Sequence, residues 1–196
     1  MADERDDQPR RGRPRSRKSR EAILSAVRRE LLSGGYASLT MERVAAKAGV
    51  SKATIYRWWS TKGELALEAA ESVISIGVVP DTGSSTRDLD IAIQQLIETF
   101  SRPLASIVIF AAITTAGNDP VMARIFRDKH VYPWRRSAAE ALERASSRGD
   151  VVLDDVQFIL DVIVGTVFQR TLVMKEPMVE GLKQNLLSLV FSHSAP

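Results

Sequence analysis

Ser51, Lys52, Ala53, Thr54, Tyr56 and Arg57 place hydroxyls, an amine, a phenol and a guanidinium within seven residues. These groups serve hydrogen bonding to phosphates and base edges; they are not a nucleophile paired with a base. Catalytic chemistry is poorly supplied elsewhere. The chain has no cysteine, so thiolate chemistry and disulfides are excluded, and a reducing cytoplasmic setting is expected. Its two histidines, His130 and His193, are far apart and lie outside any metal-ligand spacing. No glycine-rich phosphate loop is present, and Asp154-Asp155 reads as a helix cap rather than an acid pair. No catalytic residue, cofactor or metal ion is therefore expected.

The donors need two short helices crossing closely to present them. Ala45 is small where such a crossing occurs, Gly49 four residues on supplies a left-handed turn, and Ile55 six further on falls on the buried side. Val44, Ala48, Val50 and Trp58 fill the remaining apolar positions, with Trp58 or Trp59 as the buried indole. Thr40 caps the first helix of the pair and Ser51 the second. Thr40 can also offer its hydroxyl or N–H to a phosphate, and Arg43 is a further backbone contact. Tyr56 has two readings, contact with DNA or packing on the preceding helix. Ser51 has two as well, DNA contact or cap alone.

Charge follows the same division. Residues 1–62 carry 15 Lys/Arg against 7 Asp/Glu, whereas the remainder carries 12 against 17. A basic module that meets a polyanion and an acidic remainder that does not would give this asymmetry. Residues 1–18 read as an extended basic arm, because Gly12 and Pro14 interrupt a helix. Arg11, Arg13 and Arg15 alternate along it, suiting either a minor groove or a nonspecific electrostatic tail.

The stretch LTMERVAAKAGVSKATIYRWWSTKGEL, Leu39 to Leu65, resembles the DNA-binding domain of the TetR family of repressors. Gly35-Tyr36 and the RGRPRS lead-in are similar to family members too. The resemblance implies that Lys52, Ala53, Thr54 and Tyr56 occupy recognition-helix contact positions and that Lys62 contacts a phosphate; the other reading of Lys62 is a solvated lysine. It also implies a palindromic double-stranded operator, a homodimer and a small-molecule effector bound among the central helices.

The expected fold is all-α throughout. The modules are 1–18, the arm; 19–66, the helix-turn-helix; and 67–196, a helical effector-binding and dimerisation domain. Helices are expected from Ser19 to Ser33, Thr40 to Lys47, Ser51 to Trp58 and Thr61 to Ile76, the last opened by Thr61 and Glu64. Further helices follow up to Pro103, over Leu104 to Ala116, from Pro120 to Arg148, from Asp154 or Asp155 to Lys175, and from Pro177. Leu104 to Ile113, read as the longest apolar stretch, is too short to span a bilayer, so no membrane partner is expected.

The helix from Asp154 is apolar on more than one face and needs cover on both sides. Ile163, Val167, Met178, Leu182, Leu186 and Leu189 are the expected dimer contacts, in a four-helix bundle that the resemblance implies. Phe100, Phe110, Phe126, His130, Trp134, Phe158, Thr166 and Gln169 are the pocket candidates, read alternatively as plain core. Their apolar character points to a hydrophobic or aromatic effector. An enzyme, an architectural DNA-binding protein and an effector-independent regulator are the competing classes.

Overall fold

The structure, a computed structural model, describes residues 13–74, 76–176 and 181–192, with side chains from residue 17. Arg11, Met178 and the start of the last helix at Pro177 lie outside the described residues, as do the side chains of Arg13 and Arg15. The described residues form helices and connecting turns, with no strand among them.

Helix α1 (Arg13–Ser38) begins earlier than its sequence predicts. Pro14 sits in the first helical turn, where a missing N–H costs no intrahelical bond, so the expectation of an extended arm fails over residues 13–18. At the other end Gly35 takes φ 69°, ψ −179°, outside the helical region, so the regular helix stops there as the Gly34-Gly35 pair predicts, and a short helical stretch runs on to Ser38. Ile23, Val27 and Leu31 lie along the buried stripe of α1 and form the core of the first module with Val44, Ile55 and Leu65.

Helices α2 (Met41–Ala48), α3 (Lys52–Tyr56) and α4 (Lys62–Ile74) follow. Thr61 Oγ1 accepts from Glu64 N at 3.1 Å, as a capping box requires, but Glu64 reaches back to Ser60 N at 2.8 Å rather than to Thr61. Helix α4 runs unbroken through the boundary expected at residue 66, with Leu65, Ala66, Leu67, Ala69 and Ala70 all buried. Packing against α1, α6 and α7 makes it the shared beam of both modules.

Helices α5 (Ser85–Ser101) and α6 (Pro103–Thr114) meet at an 89° corner, where Pro103 opens α6. The long helix expected from Pro120 is interrupted: α7 (Pro120–Phe126) passes through a π-helical turn, Arg127–Val131, into α8 (Tyr132–Ser147). Pro133 has no N–H for the carbonyl four residues back, and the wider turn absorbs that loss. Asp155 caps α9 (Val156–Phe168), which also continues as a π-helical turn, Gln169–Val173; α10 (Leu182–Phe191) closes the described chain.

Gly63 fixes the join between the modules. A Cβ there would lie 2.7 Å from Met122 Cβ, so only glycine lets α4 approach α7 this closely. Met122 is fully buried, and its N–H is held by the capping carboxylate of Asp119 at 2.9 Å.

Candidate nucleic-acid interface and interior cavity

The turn between α2 and α3 is built from local backbone chemistry. Gly49 takes φ 66°, ψ 36°, and Val50 N donates to Ala45 O at 3.1 Å, closing α2. Ser51 Oγ then accepts from Thr54 N at 3.2 Å and starts α3. With Ile55 fully buried, the opposite face of α3 presents Lys52, Ala53, Tyr56 and Arg57 to solvent, with Thr54 half-buried. Tyr56 therefore does not pack inside the module.

The tandem indoles separate. Trp59 is buried and Trp58 is 39% exposed, so the apolar position assigned to Trp58 belongs to its neighbour. Trp59 Nε1 donates to Glu68 Oε2 at 3.0 Å, and Arg20 bridges the same carboxylate at 2.5 Å while lying over the Trp58 ring. A five-residue helix followed by a tight turn puts the second indole, not the first, over the core.

Thr40 Oγ1 accepts from Arg43 N at 3.2 Å, and its side chain is exposed. Arg43 and Lys47 both reach Glu30, whose side chain is completely buried; the Arg43 Nε–Oε2 distance is 2.7 Å. Hydrogen bonds from Lys47 and then Arg43 hold the Glu30 carboxyl below its ordinary range, against the opposing effect of burial. Sequence reasoning missed this ion cluster. Its signal was available, since Glu30 falls three residues after Val27 on the buried stripe of α1.

Lys52 Nζ donates to Glu42 at 2.8 Å across the two exposed helices, which raises the lysine and lowers the acid from their ordinary values. Lys62 is not a free surface lysine. Its Nζ stands 4.5 Å from the Tyr36 ring centroid and 3.4 Å from Leu39 O. Burial, reinforced by nearby Asp119, pushes the Tyr36 phenol up to about 12.

The second module holds an apolar cavity of about 70 Å³. Of the eight pocket candidates, Phe100, Phe126, His130 and Trp134 line it. The other four do not. Phe110 turns outward from α6 toward a separate groove beside Tyr36 and Lys62. Phe158 is 62% exposed, Thr166 Oγ1 bonds back to Val162 O, and Gln169 is exposed. An α9 that is apolar on nearly every face gives little phase from which to tell the inward side.

The same ambiguity divides the expected dimer contacts. Ile163, Val167, Leu182 and Leu186 are buried within their own chain and are not available to a second copy. Leu189, also expected there, is exposed and forms an outward apolar face with Val152 and Phe158, with Val173 and Met174 at the far end of α9. Residues Val156–Val173 are long and apolar enough to cross a membrane, at mean hydropathy 1.5, yet only 22% of this stretch is buried.

A core shared by two helical modules, with a capped helix-turn-helix at one end and a cavity in the other, is the architecture of a DNA-binding regulator. The family description "Bacterial regulatory proteins, tetR family" matches residues 23–69, and "Tetracyclin repressor-like, C-terminal domain" matches residues 79–190. Relatives include the uncharacterized HTH-type transcriptional regulator YdeS of Bacillus subtilis, 32% identical over 94% of this chain and 93% of the relative. The DNA-binding transcriptional repressor TetR of Mycobacteroides abscessus is 33% identical over 72% of this chain and 75% of its own length. Among solved structures, the TetR family transcription regulator SCO0332 superposes with a TM-score of 0.64 at 33% identity, covering 91% of this chain and all of that one. The chain belongs to the TetR family: it is a helix-turn-helix, DNA-binding transcriptional regulator and not an enzyme.

Proposed function

We propose that this regulator is a repressor that holds a palindromic operator as a cytoplasmic homodimer and releases it when a small hydrophobic or aromatic effector enters the interior cavity. The observation carrying this reading is that α4 touches both sites. Ile74 lines the cavity near one end of the helix, while Lys62 at the other end donates to Leu39 O, just before α2, and lies over the Tyr36 ring. An effector that prefers a displaced α4 would shift the population away from the DNA-competent arrangement.

In this reading α3 enters the major groove, with Lys52, Ala53, Thr54, Tyr56 and Arg57 facing bases and phosphates. Thr40, Arg43, Ser51 and Lys62 hold the backbone, Arg11 ahead of α1 reaches the adjacent minor groove, and Arg13 and Arg15 at the start of α1 add positive charge beside the phosphates. Lys52 exchanges Glu42 for DNA, and Arg43 keeps its tie to Glu30 while meeting a phosphate. Residues 19–66 act as the DNA-binding module and 67–196 as the effector and dimer module. Two copies meet through Phe158, Val152 and Leu189, setting their recognition helices about 34 Å apart or a multiple of it.

The test is selection of binding sites from a random DNA pool, followed by footprinting and a salt titration. The expected result is a symmetric footprint over a palindrome. Deleting residues 1–16 should lower the slope of log K against log salt by roughly 0.9 for each phosphate that the arm no longer neutralises. Sequence-independent retention at low salt would overturn the operator-specific reading.

A further inference from the structure

The cavity is apolar, yet two of the residues that line it carry a buried ring nitrogen with no hydrogen-bond partner among the described residues: Trp134 Nε1 and His130 Nδ1. Both residues are more than nine-tenths buried, with exposures of 4% and 8%. A buried donor left without a partner is costly, and most native ones are satisfied, so an orphaned pair at one cavity needs a physical reason. The π-helical turn supplies the placement. Phe126, His130 and Trp134 follow one another four residues apart, and the wider turn keeps all three on one wall, with the Phe126 and His130 rings 5.9 Å apart.

We infer, resting on the effector reading above, that the cavity selects an uncharged, largely apolar molecule carrying a carbonyl or hydroxyl oxygen that accepts a hydrogen bond from Trp134 Nε1, with His130 Nδ1 as the second polar contact. An indole nitrogen only donates, so the ligand must supply an acceptor. Among the described residues the wall lacks a free cation for an anionic ligand. Arg135 borders the cavity, but its guanidinium is engaged by Asp161 at 2.6 Å and Gln157 at 2.8 Å. His130 does not supply the charge either. Burial holds its imidazole below the ordinary value, although Glu71 opposes this; Glu64, Glu68 and Lys129 line the cleft on its other side. A neutral imidazole can donate to a ligand oxygen or accept from a ligand hydroxyl, whereas the indole fixes the requirement for an acceptor.

Matched ligands that differ only in the oxygen test this: α-tetralone against tetralin, and benzophenone against diphenylmethane. Affinities are measured by titration calorimetry on the full chain. The ketones should bind about tenfold more tightly than the hydrocarbons, the ratio expected of one net hydrogen bond in an apolar site. Trp134→Phe should reduce the ratio to near unity while leaving hydrocarbon binding in place. Should that variant fail to fold, the indole N–H resonance of Trp134 in the wild-type chain provides the same answer. It is assigned by elimination using Trp58→Phe and Trp59→Phe, and should move with ketone but not with hydrocarbon. Equal binding of ketone and hydrocarbon, with that resonance unmoved, would overturn the inference and leave an effector cavity standing. If no ligand of either kind binds, the cavity reading falls and the inference falls with it.

Discussion

The two halves of this chain differ in how much apolar surface they leave uncovered. In the first, apolar side chains close on one another and charges meet partners: Glu30 with Arg43 and Lys47, Glu42 with Lys52, Glu68 with Arg20 and Trp59. In the second, large apolar side chains face outward on α9 and the segments beside it, and an apolar cavity remains inside. A module that works by touching a polyanion needs a rigid, polar, self-contained frame. One that works by pairing and by admitting a ligand must leave apolar surface uncovered until its partner arrives.

The sharpest way to break this contrast is to charge the outward face of α9. Phe158→Arg should leave the fold intact, since the side chain is exposed, but convert the dimer to a monomer. Operator affinity should then fall by more than about a hundredfold, because each half-site is bound without the avidity that the other supplies. Sedimentation paired with a mobility-shift titration reads both effects. A dimer that survives the substitution would move the interface elsewhere.

A smaller effect is expected at the join of the halves. Gly63→Val drives a branched side chain into Met122 and should destabilise the chain by about 1–3 kcal/mol in urea unfolding. It should also weaken DNA binding without altering the dimer. An unchanged unfolding midpoint would show that α4 and α7 do not press on each other in solution.

The smallest effect concerns pH. His130 binds its proton less readily when folded than when unfolded, so the unfolded chain holds more protons as pH falls through the ordinary histidine value of 6.5. Stability should therefore be full above that value and decline as pH drops below it toward the lower folded pKa. His130→Phe should flatten the decline between about pH 7 and pH 5 in thermal melts. An unaltered slope would place the titrating group elsewhere.

What could be read from the sequence follows the range of the forces involved. The caps at Thr40 and Ser51 and the left-handed Gly49 are bonds between near neighbours, and each was legible from residue type and spacing. Pro14 misled because a proline is disruptive inside a helix but harmless in its first turn, and composition alone does not say where that turn begins. The choice between Trp58 and Trp59 depends on how tightly the chain turns after Tyr56. The inward side of α9 was not legible, because a helix apolar on nearly every face carries little phase. Ile163 and Phe158 look alike in sequence and differ only in what stands opposite them. The cavity was half legible, since the four-residue spacing of Phe126, His130 and Trp134 marks a wall only once Pro133 has widened the turn.

The close seat of Gly63 on Met122 has a mechanical consequence. From Gly63 to Ile74 the helix rises about 16 Å, so α4 is a stiff rod with a fulcrum near its DNA-binding end and its far end packed at the cavity. A sideways push of about 1 Å at Ile74 would turn the rod by roughly 3–4°, and the attached recognition module with it. In a twofold pair the two modules would turn in opposite senses, doubling the mismatch with a straight duplex. A molecule small enough to fit between Phe100 and Trp134 would thus need no large rearrangement to spoil the grip on DNA.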